Sequence, residues 1–192
     1  MSTVVVDGSA AGPLPRREAW PAVGRSVGAA ACLLARREIR QPKDHLGRVV
    51  SFADGTCGRV YRETRVDRSP SSPCLLLVEF RLRAVRGRGH RAFERESILN
   101  TPLFVGFPGF VSKWWLTHDQ GGAYRGVYEW DGPAAAERYA RSLWRVLALV
   151  SAKGSIDYRV IPGLRRDELL ADPGRIRQEQ SEETWWQVVR SS

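Results

Sequence analysis

The chain has 192 residues, of which 43% are hydrophobic and 27% charged, and a formal net charge of +9. This excludes a disordered or fibrous protein and describes one ordinary domain, or one domain with an extension. Three cysteines without CxxC spacing and three scattered histidines exclude a disulfide framework and a zinc or His-rich centre, so no metal is expected.

In chain order, the first fifteen residues are rich in Gly, Ala and Pro and read as a loose tail. MSTVVVDGSAAG lacks the basic start and apolar core of a secretory signal. The longest weakly polar run, VGAAACLLA at 27–35, is about half of what a bilayer crossing needs. A cytoplasmic location without a membrane partner is expected. Small and apolar residues at helical spacing predict a helix over 22–40, ending in a basic turn before Pro42. RVVSF and RVYRETRV bracket ADGTCG, where Asp54-Gly55 signals a hairpin turn. RSPSSP at 68–73 reads as a linker.

Beyond it, CLLLVEFRLRAV (74–85) predicts a strand, and RGHRAFERESILN a short helix leading into an irregular stretch before Pro108. GFVSKWWLTHD and AYRGVYEW predict an antiparallel hairpin closed by QGG. PAAAERYARSLWRVLALV (133–150) predicts an amphipathic helix, with Asp131 as its cap and Pro133 in its first turn. SIDYRVIPGL (155–164) predicts a fourth strand, and SEETWWQVVR a short helix in a polar tail. The order β-α-β-β-α-β is the split βαβ pattern of an α+β, ferredoxin-like domain. The expected organisation is therefore an extension over 1–73, carrying tail, helix and hairpin, a domain over 74–170, and a tail over 171–192.

Strand alternation assigns faces. Leu76, Val78, Phe80, Leu82, Ser112, Trp114, Leu116, Ile156, Tyr158 and Val160 share one face, joined by Tyr124, Tyr128 and Trp130, and should pack under the helices. Glu79, Arg81, Lys113, Trp115, Arg125, Glu129, Asp157 and Arg159 fall on the other. Charges in the middle of every strand suit a sheet facing another sheet, which implies a homodimer. The net charge raises the question of nucleic acid, but the basic residues are nearly all Arg and are spread along the chain. Such a bias follows from GC-rich coding, and no nucleic-acid partner is expected.

The string PGF-x-x-K-x-W (108–115), followed by Gly-Gly, GVYEW (126–130) and an Ala-rich helix, resembles the YdhR-like mono-oxygenases over roughly 74–170. These belong to the dimeric α+β barrel superfamily, with the antibiotic-biosynthesis mono-oxygenases and polyketide cyclases. The resemblance implies a pocket between sheet and helices in each subunit of a dimer. It also implies a cofactor-independent enzyme of bacterial secondary metabolism, acting on a polyketide-like or aromatic substrate. Oxygenation is one outcome; cyclisation or isomerisation in the same pocket is another, and non-catalytic ligand binding a third. No GxGxxG or haem-ligand pattern is present, so no cofactor is expected.

Within that frame the aromatic residues are either core or pocket wall. Trp114, Tyr124, Trp130, Tyr158 and Phe80 are candidates to line a substrate site, with Tyr128 able to donate its phenol proton to a substrate carbonyl. His118 and Glu79 are the other catalytic candidates, the latter because a buried carboxylate has a raised pKa, the condition for a general base. Asn100 either caps a turn or orients a substrate. The adjacent Trp185 and Trp186 should dock rather than stand exposed.

Overall fold

The computed structural model describes residues 5–7, 11–83, 85, 87–176 and 184–192. In chain order these form β1 (Val6–Asp7), α1 (Arg16–Ala35), β2 (Ile39–Arg40), β3 (Val49–Phe52), β4 (Cys57–Val66), β5 (Pro73–Arg81) and α2 (Arg88–Glu96). A 3-10 stretch over Ser97–Leu103 leads to β6 (Phe110–Leu116), β7 (Ala123–Asp131), α3 (Pro133–Val150) and β8 (Asp157–Pro162). Then come α4 (Arg166–Ala171), a 3-10 turn at Pro173–Ile176, and β9 (Val188–Ser191). The chain is α+β, as its sequence predicts. Its strands make one antiparallel sheet in the order β1-β8-β5-β7-β6-β4-β3-β9, with β2 also paired to β4.

Two cores lie on the two faces of this sheet. On one face, α1 and α3 cover Leu76, Val78, Phe110, Trp115, Tyr128, Trp130, Tyr158 and Val160. The other face gathers Leu75, Leu77, Trp114, Leu116, Val127 and Ile161 with Val50, Phe52, Leu169, Ile176 and Trp186. Val50 and Ile161 belong to strands near opposite ends of the sheet, so the sheet curls around this second core.

Alternation places β5, β7 and β8 correctly and fails on β6. Phe110 pairs with Trp130, but Ser112 pairs with Glu129, so Val111 is an extra residue in a bulge. A bulge shifts the side-chain period by one and sends every later residue to the opposite face. Lys113 and Trp115 therefore join Phe110 under the helices, while Trp114 and Leu116 point into the second core.

The charged face that implied a second subunit is covered by the chain itself. Arg125 of β7 pairs with Glu79 of β5, with Asp54 at 2.8 Å from the β3–β4 turn, and with Asp119 at 3.3 Å. Its guanidinium also lies 4.6 Å from the Phe52 ring. Arg166 of α4 reaches Glu63 of β4 at 3.1 Å, and both are almost fully buried. The acids and bases do pair across a junction, as the sequence predicts, but within one chain.

Other boundaries move for local reasons. Helix α1 begins at Arg16 and stops at Ala35 because Arg37 turns left-handed, φ 57°, freeing Ile39–Arg40 to pair with β4. Residues 11–15 are not loose: Leu14 donates its N–H to the Arg141 carbonyl and accepts from Arg145 Nε. Asp131 does not cap α3, whose N-cap is Gly132 at φ 100°. Its carboxylate instead accepts from the backbone N–H groups of Ser71 and Ser72, fastening the linker to β7. Of the helix predicted around SEETWWQVVR, residues 181–183 lie outside the described residues; Trp185 and Trp186 form a turn and 188–191 a strand on β3. Trp186 is buried in the second core, so the tail docks on its own chain.

Candidate functional site

Strands β5, β6 and β7 form the floor of a cavity of about 340 Å³, walled by α2, the 97–103 stretch and α3. Small-molecule sites span about 300–1,000 Å³. The floor supplies Phe80, Lys113, Trp115 and Tyr128; the first wall adds Phe93, Glu96, Ser97, Asn100 and Leu103; Leu143, Val146 and Leu147 come from α3. Leu99 and Leu149 stand at the mouth, 75% and 64% exposed, so the entrance is apolar as well.

Floor geometry depends on a missing side chain. Gly126 precedes Tyr128 by two residues on the same face of β7, and it pairs with Trp115 across β6. A Cβ at Gly126 would lie 2.7 Å from Tyr128 Cε2. The phenol ring can lie down along the strand only because that carbon is absent, which leaves space above it open.

Lys113 is the unusual member. Its side chain is 5% exposed, and Nζ lies among three rings: 3.1 Å from the Trp115 centroid, 4.5 Å from Phe104 and 4.7 Å from Tyr128. Cation–π contacts favour the charged form by about 0.5–2 kcal/mol. Burying an ammonium costs several kcal/mol, so desolvation wins. Burial, with a smaller push from the Arg62 cation, holds the amine well below the ordinary lysine range. An amine whose pKa is lowered by an apolar cavity gives up its proton more readily than an ordinary lysine, and the deprotonated form is a base and a nucleophile.

Arg62 is held by Ser97 Oγ at 2.6 Å and the Glu94 carbonyl at 3.2 Å, behind the Trp115 ring. Tyr61 donates to the same Ser97 hydroxyl at 3.2 Å, and burial pushes its phenol up to about 12. Tyr139 of α3 donates its hydroxyl proton to Tyr128 Oη at 3.2 Å. That bond occupies a lone pair of Tyr128 and leaves its own proton for a guest. Burial raises the Tyr128 phenol well above its usual value, so it stays a neutral donor.

Of the residues predicted from sequence, Tyr128, Phe80 and Asn100 line this cavity. Trp114 does not: it is fully buried on the opposite face, 4.8 Å from the His45 ring and 4.4 Å from the Arg166 guanidinium. Trp130 stacks at 4.7 Å on Tyr139, and Tyr158 meets the edge of Trp144, both within the helix-side core. Tyr124 lies behind the wall, stacked on Phe80 and bonded at 2.8 Å to His90 Nδ1. His118 packs 3.9 Å from the His90 ring, beside Tyr124 and outside the cavity lining. The Glu79 carboxyl is raised, as predicted, by burial opposed by Arg125, but it faces the second core's ion network.

Sequence reasoning missed Lys113. The signal was there: in a chain whose charged bases are almost all Arg, one of only three lysines stands inside an aromatic strand. Among the described residues no group of His, Cys, Asp or Glu could hold a metal ion. No described helix is long and apolar enough to cross a membrane.

No protein-family model and no curated protein matches this chain. It is similar to a solved structure described as that of a major regulator of staphylococcal pathogenesis, at 12% identity and a TM-score of 0.42, over 71% of this chain and 92% of the other. A likeness so slight carries no functional argument. These findings overturn the resemblance to the mono-oxygenases. The residues that suggested it have local explanations. Gly109, at φ 87°, makes a turn where a Cβ would sit 2.7 Å from the Asp131 carbonyl oxygen, and Trp114 fills the second core.

Proposed function

We propose that this protein is a small-molecule enzyme whose substrate is a hydrophobic, aromatic or polyketide-like carbonyl compound, bound in the cavity between the sheet and α3. The observation that carries the reading is the pairing, in one apolar space, of the Lys113 amine with the Tyr128 phenol. Flat rings on the floor and walls favour a planar guest. Tyr128, with Tyr139 bonded behind it, donates to the guest's carbonyl oxygen. The amine takes a proton from the carbon beside that carbonyl, and the donor stabilises the enolate that forms. Returning the proton elsewhere gives isomerisation; attack by the enolate on a second carbonyl gives cyclisation. Of the chemistries open to the sequence, this pair of groups favours these two.

The placement has support in the topology. Strand order β8-β5-β7-β6, with α2 between β5 and β6 and α3 between β7 and β8, supports a split βαβ unit over 73–162. All lining residues belong to one chain, so the proposed chemistry does not need the homodimer expected from sequence.

Titration with naphthalene, a planar guest without a carbonyl, tests the site through tryptophan fluorescence. Leu147→Trp should fill the cavity and weaken binding at least about tenfold, or 1.4 kcal/mol, without lowering thermal stability. Equal affinity in both proteins would place the guest elsewhere and remove the reading.

A further inference from the structure

We infer that Lys113 forms a covalent imine with its ligand, and that the ligand class is therefore an aromatic aldehyde or ketone. The inference rests on the cavity reading above and goes beyond it: the amine bonds to the carbonyl carbon in place of taking the proton beside it. Three features point to it. The amine lies against three rings that would flank a planar carbonyl compound on entry. Glu96 lines the same cavity, but among the described residues no carboxylate forms an ion pair with the amine, and Arg62, whose charge acts on it, is tied back by Ser97 and the Glu94 carbonyl. Finally, Tyr128 presents a free hydroxyl proton in the same space, its lone pair being engaged by Tyr139.

The step balances without an added reagent. The Nζ lone pair adds to the carbonyl carbon, and the C=O π pair moves onto oxygen, which Tyr128 stabilises before it takes up a proton. Nitrogen then loses its protons as the C–N double bond forms and the C–O bond breaks. Amine plus carbonyl becomes imine plus one water, with no change in oxidation state. Water leaves through the mouth beside Leu99 and Leu149. The protonated imine is a stronger electron sink than the parent carbonyl.

The chain is well suited to a trapping experiment because its only other lysines, Lys43 and Lys153, are exposed. The full chain is incubated with 2-naphthaldehyde and cyanoborohydride near pH 7.5, and the product is weighed intact and mapped by peptide mass. One naphthylmethyl group per chain on Lys113 is expected, formed at least tenfold faster than on Lys43, Lys153 or the amino terminus. Excess naphthalene should slow it, and Lys113→Met should abolish it while retaining the fold by circular dichroism. Labelling of all amines at one rate overturns the proposal. So does the absence of a Lys113 adduct when naphthalene binds, which leaves the cavity reading standing; failure of naphthalene to bind removes both.

Discussion

The Nζ of Lys113 lies 3.1 Å from the centroid of the Trp115 ring, two residues along the same face of β6. Without the bulge at Val111 both side chains would point into the second core; here they floor an apolar cavity, and an amine is stored there without an ion pair among the described residues.

Such storage has a pH signature. The folded-state pKa of Lys113 lies below its unfolded value, so between the two the unfolded chain binds more protons. The cost to stability is fully present below the folded pKa and is relieved as pH rises toward the unfolded value of about 10.4. Lys113→Met should therefore be more stable than the parent at pH 7. The advantage should shrink by up to ~1.4 kcal/mol per pH unit over the window between the two pKa values. Urea melts of both proteins at pH 6, 8 and 10 measure it; a pH-independent difference would mean that the buried amine is charged.

The Tyr139–Tyr128 bond divides packing from recognition. Tyr139→Phe removes a donor and should cost about 0.5–1.5 kcal/mol of stability with carbonyl-ligand affinity little changed. Tyr128→Phe leaves the Tyr139 hydroxyl unpaired, so it should cost about 1–3 kcal/mol and also weaken a carbonyl ligand, but not naphthalene. Calorimetry on both variants with both ligands separates the two roles; identical ligand profiles would deny Tyr128 its part.

Adjacent tryptophans should behave as strangers. Trp114→Phe opens space in the second core and should cost about 1–3 kcal/mol with ligand affinity intact. Trp115→Phe alters the cavity floor and should change affinity severalfold. If Trp114→Phe proved the more damaging to binding, the β6 register would be wrong.

Gly126→Ala places a methyl group against the Tyr128 ring. Overpacking of this kind costs about 1–3 kcal/mol, and the displaced ring should close the cavity and abolish naphthalene binding. A neutral result in both assays would show that the ring has another resting place.

Much of this molecule was legible in the sequence, and the exceptions share physical causes. Leu76, Val78, Phe80, Tyr124, Tyr128 and Trp130 were assigned to the correct face because β5 and β7 alternate without interruption. Strand β6 is buried on both sides from Phe110 to Leu116 and so carries no polarity pattern against which the bulge at Val111 could be noticed. One unrecognised residue exchanged Trp114 for Trp115 and hid Lys113. The covering of the charged face was also invisible, because Asp54 meets Arg125 and Glu63 meets Arg166 through contacts 71 and 103 positions apart, which local pattern does not encode. That Glu79 and Arg125 share a face was readable from strand alternation; which chain supplied the opposing layer was not.

The central claim is that a lysine of lowered pKa waits in a ligand cavity, and nuclear magnetic resonance of ¹³Cε-labelled lysine tests it most directly. Three lysines give three Cε signals. One of them, assigned by its loss in Lys113→Met, should titrate well below about 10.4 and shift when naphthalene is added, while the other two do neither. Three signals titrating together near the ordinary value, all indifferent to naphthalene, would contradict the account.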